Sequence, residues 1–336
     1  MPSRYSAAHL NPKGAGDARP TALQVVQDEN RLGDLTDKVV LITGCSSGLG
    51  IETARALKET GATLFLTARN LDKARAALGD ILDEKHVHLL RADLESLESV
   101  RSCATEFLAK SGSRLNILIA NAGVRSLSQG KTKDGFETDF GVNHLAHFLL
   151  FQLLAPAMVS SSTPEFHARV VMVSSTAHRE WPLPPEALEK MASPASSTRR
   201  NPHEAYSHSK LANIYMANEI ERRYGAKGLH AWSVHPGGVP TGLQKPCLID
   251  FLVLFKSGVF RMFRYLQSAE QGASTTVWAA VSRELEGKGG KYLERCAISE
   301  PMGKDPKVVD PGFAPWAYDD DAAGRLWAIS LSLCGM

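Results

Sequence analysis

Residues 38–50 read KVVLITGCSSGLG. After Lys38 the next five, Val39 to Thr43, are apolar or β-branched, as a strand buried on both faces requires. Three glycines follow at Gly44, Gly48 and Gly50, and a helical pattern begins at Leu49. Outward from this stretch the same rhythm repeats. The runs 63–67, 86–90, 115–120, 169–173 and 229–234 read as strands. Between them, 49–60, 71–78, 96–109, 134–154 and 204–224 read as helices. Strands alternating with helices of this length imply βαβ units. The right-handed crossover rule then gives an α/β, doubly wound, mostly parallel sheet of about seven strands with helices on both faces.

Composition fits this reading. Of 336 residues, 43% are hydrophobic and 22% charged, enough apolar side chain for a large core. Lys+Arg is 38 and Asp+Glu 36, a formal charge of +2, so no basic excess suggests a nucleic-acid partner. Cys45, Cys103, Cys247, Cys296 and Cys334 are scattered and odd in number, which argues against a disulfide framework or a thiolate zinc site. No run of 18 apolar residues and no secretory leader is visible, so a cytoplasmic protein without a spanning helix is expected; peripheral membrane contact stays open. Residues 1–35 read as an N-terminal arm, mobile over 1–20, with a short helix at 21–31. Residues 36–336 read as one domain, interrupted by a proline-rich surface insertion at 179–203 and an apolar loop at 243–266. His144/His147 and His86/His88 lack accompanying ligands, so no metal is expected.

The glycine turn sits where a strand meets a helix N-terminus, whose free N–H groups suit a diphosphate. Gly44 permits the sharp turn, Gly48 a close backbone approach and Gly50 tight helix packing. The second strand ends at Thr67-Ala-Arg69. No acid stands there for a ribose 2′-hydroxyl, and Arg69 suits a 2′-phosphate, so NADP(H) is preferred over NAD(H). Tyr206 and Lys210 are four apart on a helix and share a face. An adjacent ammonium and a bound nicotinamide cation favour the phenolate, fitting Tyr206 to exchange a proton with a substrate oxygen. Ser175, ending its strand, is placed to orient that oxygen, and the Asn143 side chain to hold water in a relay to Lys210. Gly44-Cys-Ser46-Ser-Gly48 also matches G-x-S-x-G, so a serine hydrolase stays open as an alternative, as does a non-catalytic dinucleotide-binding partner protein.

These segments, with Asp93-Leu94, NAG at 121–123, GVNHLAHFLL at 141–150, VSS at 173–175, HPGGVPT at 235–241 and GGKYL at 289–293, resemble the short-chain dehydrogenase/reductase family, most closely its retinol-dehydrogenase-like branch and fungal relatives. The resemblance implies a catalytic tetrad of Asn143, Ser175, Tyr206 and Lys210. It implies a cofactor site made of Gly44, Ser46, Ser47, Gly48 and Leu49, of Asp93 and Leu94 near the adenine, and of Asn121, Ala122 and Gly123. Pro236, Gly237, Val239 and Thr241 would line the nicotinamide, and Lys210 would hold its ribose. Leu248, Phe251, Leu252, Leu254, Phe255, Phe260, Met262 and Phe263 fall in the family's variable substrate loop. Their composition suits a bulky lipophilic carbonyl or alcohol: a retinoid, a steroid or a polyketide-type metabolite. The resemblance also implies a homodimer through 134–154 and 204–224, with LWAISLSL (326–333) contributing to that face or competing for it.

Overall fold

The computed structural model describes residues 3–83, 85–126, 130–192, 201–240, 263–307 and 309–336. In it the apolar runs become one sheet: β1 (Val39–Thr43), β2 (Thr63–Ala68), β3 (Val87–Arg91), β4 (Ile117–Ala120), β5 (Ala168–Val173), β6 (Leu229–His235), β7 (Lys291–Glu294) and β8 (Ala297–Ile298). Their order is β3-β2-β1-β4-β5-β6-β7-β8, parallel up to β7, with β8 antiparallel on the edge. Every residue of β1, β4 and β5 is buried, which explains their lack of polar alternation. The chain builds outward from β1 to β3, then crosses back to β4. That reversal opens a crevice at the carboxyl ends of β1 and β4.

The helices are α1 (Ser6–Leu10), α2 (Ala22–Asp28), α3 (Leu49–Lys58), α4 (Leu71–Leu78), α5 (Leu97–Ser111), α6 (Thr138–Ser161), α7 (Pro185–Ala192), α8 (Pro202–Tyr224), α9 (Ala269–Gly272), α10 (Ser274–Val281) and α11 (Asp320–Leu333). One face of the sheet packs on α5, α6, α8 and α11 through residues such as Phe107, Phe148, Ile214 and Trp327. The other packs on α2, α3, α4 and α10 through Val25, Leu57, Leu78 and Trp278. By length and composition α6 could cross a bilayer, yet 78% of its apolar window is buried inside this fold.

Three expectations change. Helix α6 begins at Thr138 rather than 134, because Gly135 takes φ +89° in a turn and the Glu137 carboxylate caps Asp139 and Phe140. It also runs on through Pro156 to Ser161, its apolar surface being buried along the way. Residues 3–20 are not a free arm. Arg19 is only 5% exposed and plugs into the body: its Nη1 donates to the Tyr265 carbonyl at 2.9 Å and its Nη2 to that of Leu266 at 2.6 Å. Part of the 179–203 insertion is helix α7, with Leu183, Ala187 and Leu188 buried. The C-terminal stretch, read as contributing to the long-helix face or competing for it, packs on that face within the chain. Tyr215 and Asn218 of α8 donate to the carbonyls of Trp316 and Ala317, while Trp327 packs edge-on against Phe148 of α6.

Candidate active site

The glycine turn is held by backbone geometry. The N–H groups of Gly44 and Cys45 both donate to the Thr67 carbonyl on β2, at 3.1 and 2.9 Å. Gly44 has φ +78°, and a Cβ there would meet Ala122 Cα at 2.8 Å. A Cβ on Gly50 would lie 2.4 Å from the Gly44 carbonyl oxygen. No side chain caps α3, so its first N–H groups face the crevice with the positive end of the helix dipole. Asn121 Nδ2 ties the β4 turn to the Thr43 carbonyl at 2.8 Å, and Ala122 N donates to Thr43 Oγ1 at 3.0 Å. The result is a cradle too shallow for side chains and lined with donors, which fits a dinucleotide diphosphate.

At the adenosine end, Asp93 is 6% exposed and accepts from Lys133 Nζ at 2.7 Å. Burial would raise its pKa, but Lys133 and the Glu95 N–H outweigh that and hold the carboxyl below its ordinary value. Arg69 extends from the end of β2, 66% exposed, and pairs with Glu95 at 2.7 Å.

At the other end, Tyr206 and Lys210 rise from α8 beside the end of β5. Lys210 Nζ donates to the Val173 carbonyl at 3.0 Å and lies 5.7 Å from the centre of the Tyr206 ring. Arg125 covers the same ring at 5.5 Å. The phenol is not lowered in the protein alone. Burial is the largest influence and pushes it up to about 12, against the opposing effects of Ser175 and Arg125. Burial likewise pushes Lys210 down to about 8, with Asp139 pulling the other way. A desolvated site penalises charge on either group.

One cavity of about 450 Å³ is lined by Gly44, Ser46, Ser47, Gly48, Leu49, Arg69, Asp93, Leu94, Asn121, Ala122, Gly123, Ser175, Tyr206, Lys210, Pro236, Gly237 and Val239. Thr241 lies outside the described residues, as do the loop residues from Leu248 to Met262; Phe263 is described but does not line this cavity. Asn143 is near but does not line it either. It sits in a π-helical turn (Gly141–Leu145), and its side chain accepts from Val124 N at 2.8 Å and donates to Val124 O and Ser209 Oγ at 2.9 Å each. Both of its N–H donors are spent, and the side chain clamps the β4 turn to α8. Ser46 pairs with no histidine among the described residues. His147, the imidazole beside the turn, bonds Thr43 Oγ1 at 2.8 Å and the Asn143 carbonyl at 3.0 Å.

Sequence reasoning missed several contributors. Glu95 and His235 also line the cavity. Thr43 and His147 brace it, Arg125 covers Tyr206, and Asp139 is a fully buried carboxylate that burial pushes up to about 7. Thr43, His147 and Asp139 lie in or next to the quoted motifs. Their signal was a polar residue inside an otherwise apolar element.

Residues 38–183 match the family model of short chain dehydrogenases. The short-chain dehydrogenase/reductase prx1 of Penicillium roqueforti is 44% identical over 99% of this chain and 95% of its own length. Human retinol dehydrogenase 12 is 36% identical over 90% of this chain and 88% of its own. The chain belongs to the short-chain dehydrogenase/reductase family. Among solved structures, an uncharacterized protein of Mycobacterium paratuberculosis is 32% identical, with a TM-score of 0.65 over 89% of this chain and 94% of that one. The Pseudomonas aeruginosa RhlG/NADP active-site complex shares the fold at 23% identity, with a TM-score of 0.61 over 76% of this chain and 94% of that one. As a member of this family the chain is an oxidoreductase of the NAD(P)-binding kind.

Proposed function

We propose that this reductase uses NADP(H) to interconvert a carbonyl and an alcohol on a bulky lipophilic substrate, running as a reductase at neutral pH. The carrying observation is the single cavity joining the glycine turn and Arg69 to Ser175, Tyr206 and Lys210. When bound, the reduced nicotinamide supplies the hydride. The remaining work falls to side chains. A phenol held near 12 is fully protonated at pH 7, so Tyr206 is a proton donor ready for a carbonyl oxygen. Ser175 lines the cavity beside it and orients that oxygen. Lys210, buried and fixed on the Val173 carbonyl, steadies the phenolate left behind.

For the cofactor, Ala68 leaves the end of β2 without an acid, and the exposed Arg69–Glu95 pair is cheap to exchange for a 2′-phosphate. For the substrate, the human relative is named for retinol, in keeping with a lipophilic ligand. We place the enzyme in the cytoplasm, and its α11 packs on the face of α6 and α8 through which a homodimer would form. Tyr206→Phe should lower NADPH-dependent reduction of lipophilic aldehydes and ketones by about a thousandfold, within the range of general acid catalysis. NADPH affinity, read by fluorescence titration, should hardly move. Activity that survives this change removes the assignment, and a chain that binds NADPH but reduces no carbonyl is the non-catalytic alternative. Arg69→Asp should reverse the NADPH-over-NADH preference in the same assay.

A further inference from the structure

Two cavities meet at His235, Pro236 and Gly237: the one described above and a smaller one of about 200 Å³, walled by side chains such as His9, Arg19, Gln267 and Glu294. Arg125 lines neither of them. Yet its guanidinium carbon lies 5.5 Å from the centre of the Tyr206 ring, as near as Lys210 Nζ at 5.7 Å. A side chain placed in this way meets the phenol ring and leaves the space for a substrate free. The backbone on both sides of it is pinned. Asn143 holds Val124 at N and at O, at 2.8 and 2.9 Å, and Asp139 Oδ1 accepts from Ser126 N at 2.8 Å. The guanidinium is held too, because Nη2 meets Nδ1 of His203 at 2.6 Å and donates to it. His203, Tyr206 and Lys210 follow one another at i, i+3 and i+7 along α8. One helix face therefore carries the anchor of the guanidinium, the phenol and the amine.

Arg125 is half-buried and forms no ion pair among the described residues, and its Nε is buried without a hydrogen bond. Its charge is therefore not spent on a carboxylate and acts on what it faces. The groups around the phenol divide by sign. Arg125 and Lys210 favour the phenolate. Asp139 at the start of α6 and Glu180 beyond β5 oppose it, and Tyr292 on β7 is a neutral neighbour. Burial remains the largest influence on Tyr206, followed by the Ser175 hydrogen bond; among the charges, that of Arg125 comes first. The two cations also differ in kind. Burial brings Lys210 down to about 8, so its charge fades in mildly alkaline solution. A guanidinium stays charged throughout that range.

Resting on the carbonyl-reductase reading above, we propose that Arg125 is a positioning residue for the reaction, a second and permanent cation that His203 holds over Tyr206 to stabilise its phenolate. In reduction the phenol O–H bond breaks. Its proton goes to the substrate oxygen as hydride reaches the carbonyl carbon, and the negative charge left on the phenol is the one that Arg125 faces. In oxidation the phenolate takes the proton back from the alcohol.

The test follows NADP-dependent oxidation of alkan-2-ols against pH, because kcat/KM in that direction rises as the phenol ionises. Arg125→Met should carry this rise to higher pH by about one unit, a loss of about tenfold at any pH below it, and leave the plateau above it at its old height. Arg125→Lys should bring most of the rise back. His203→Leu, which frees the guanidinium, should move it in the same direction as Arg125→Met but by less. A rise that stays in place in Arg125→Met, or an Arg125→Lys enzyme no better than Arg125→Met, overturns the proposal. Should Arg125→Met fail to fold, Arg125→Gln makes the same comparison. A second readout needs no turnover and no nucleotide. With difluorotyrosine, a more acidic phenol, in place of Tyr206, the ¹⁹F resonance reports its ionisation directly. Its midpoint should lie higher by about one unit when Arg125→Met is added. A midpoint that moves in a protein that oxidises no alcohol sinks the reductase reading and leaves the hold of Arg125 on the phenol standing. Turnover with an unmoved midpoint does the reverse.

Discussion

The two cavities that meet at Pro236–Gly237 are built on opposite principles. The nucleotide cradle is made of backbone. Its shape follows from three glycines, a helix end and two tethers from Thr67, and a single added methyl at Gly50 would strike a carbonyl oxygen at 2.4 Å. The smaller cavity is made of side chains drawn from residues as far apart as His9, His235, Gln267 and Glu294. A backbone site has few ways to change and keeps one chemistry. A side-chain site can be rebuilt one residue at a time, which suits the end of an enzyme that selects its substrate.

The largest effect that tests this contrast is Gly50→Ala. The clash is with backbone and with the Asn121 amide, neither of which can swing aside. Overpacking of this kind costs about 1–3 kcal/mol, so NADPH affinity should fall by about ten- to a hundredfold. Substitutions at His9 should leave nucleotide affinity alone. If calorimetric titration finds Gly50→Ala binding NADPH as tightly as wild type, the cradle is softer than its geometry indicates, and the distinction between the two cavities dissolves.

The same contrast explains what was legible in the chain. Gly44, Asn121 and Tyr206 could be read because each acts within a few residues of its own motif, under steric rules that allow little else. The doubly wound, mostly parallel sheet followed from the βα alternation for the same reason. Arg19 could not be read: its partners are carbonyls at Tyr265 and Leu266, and nothing local in a Gly- and Pro-rich segment signals a buried guanidinium. The upward push of burial on the phenol could not be read either, because a sequence places the Lys210 charge beside Tyr206 but does not show how completely both are desolvated. For Asn143 the motif gives the residue and not its partners, Val124 and Ser209.

Asp139 lines neither cavity but is felt by Lys210, and it offers a test of intermediate size. Its Oδ1 accepts from Ser126 N at 2.8 Å, while Oδ2 is buried with no partner among the described residues. Burial, then Glu137, raise it to about 7 from an ordinary value of 3.8. Between these two values the unfolded chain holds the ionised form while the fold resists it, so the carboxylate costs stability increasingly from pH 4 to pH 7 and by a constant amount above. Asp139→Asn keeps the acceptor for Ser126. Its gain in Tm should therefore be near zero at pH 4, grow with pH and level off above pH 7 at about 2–5 °C. Because Asp139 also holds the Lys210 pKa up, the alkaline limb of kcat/KM should move to lower pH in the variant. A Tm gain that is the same at pH 4 and pH 8 would mean that the carboxylate is not desolvated in the folded enzyme.

The smallest effect concerns a charged side-chain pair at the adenosine end of the cradle. Arg69 and Glu95 are 66% and 34% exposed, and pairs of that kind are worth about 0–1 kcal/mol. To meet a 2′-phosphate, Arg69 must leave Glu95, so the acid both parks the guanidinium and sets its carboxylate against the incoming charge. Glu95→Gln removes that competition. NADPH affinity should rise by about two- to fivefold, NADH affinity should stay where it was, and the gain should shrink in high salt as surface charges are screened. Equal gains for both nucleotides would assign Glu95 to the adenosine generally and not to the 2′-phosphate. A loss of NADPH affinity would mean that the ion pair is the arrangement that presents Arg69 to the cofactor. Even this cradle would then depend on a side chain for its choice between two dinucleotides, and the line between the cavities would run through Arg69 rather than through Pro236.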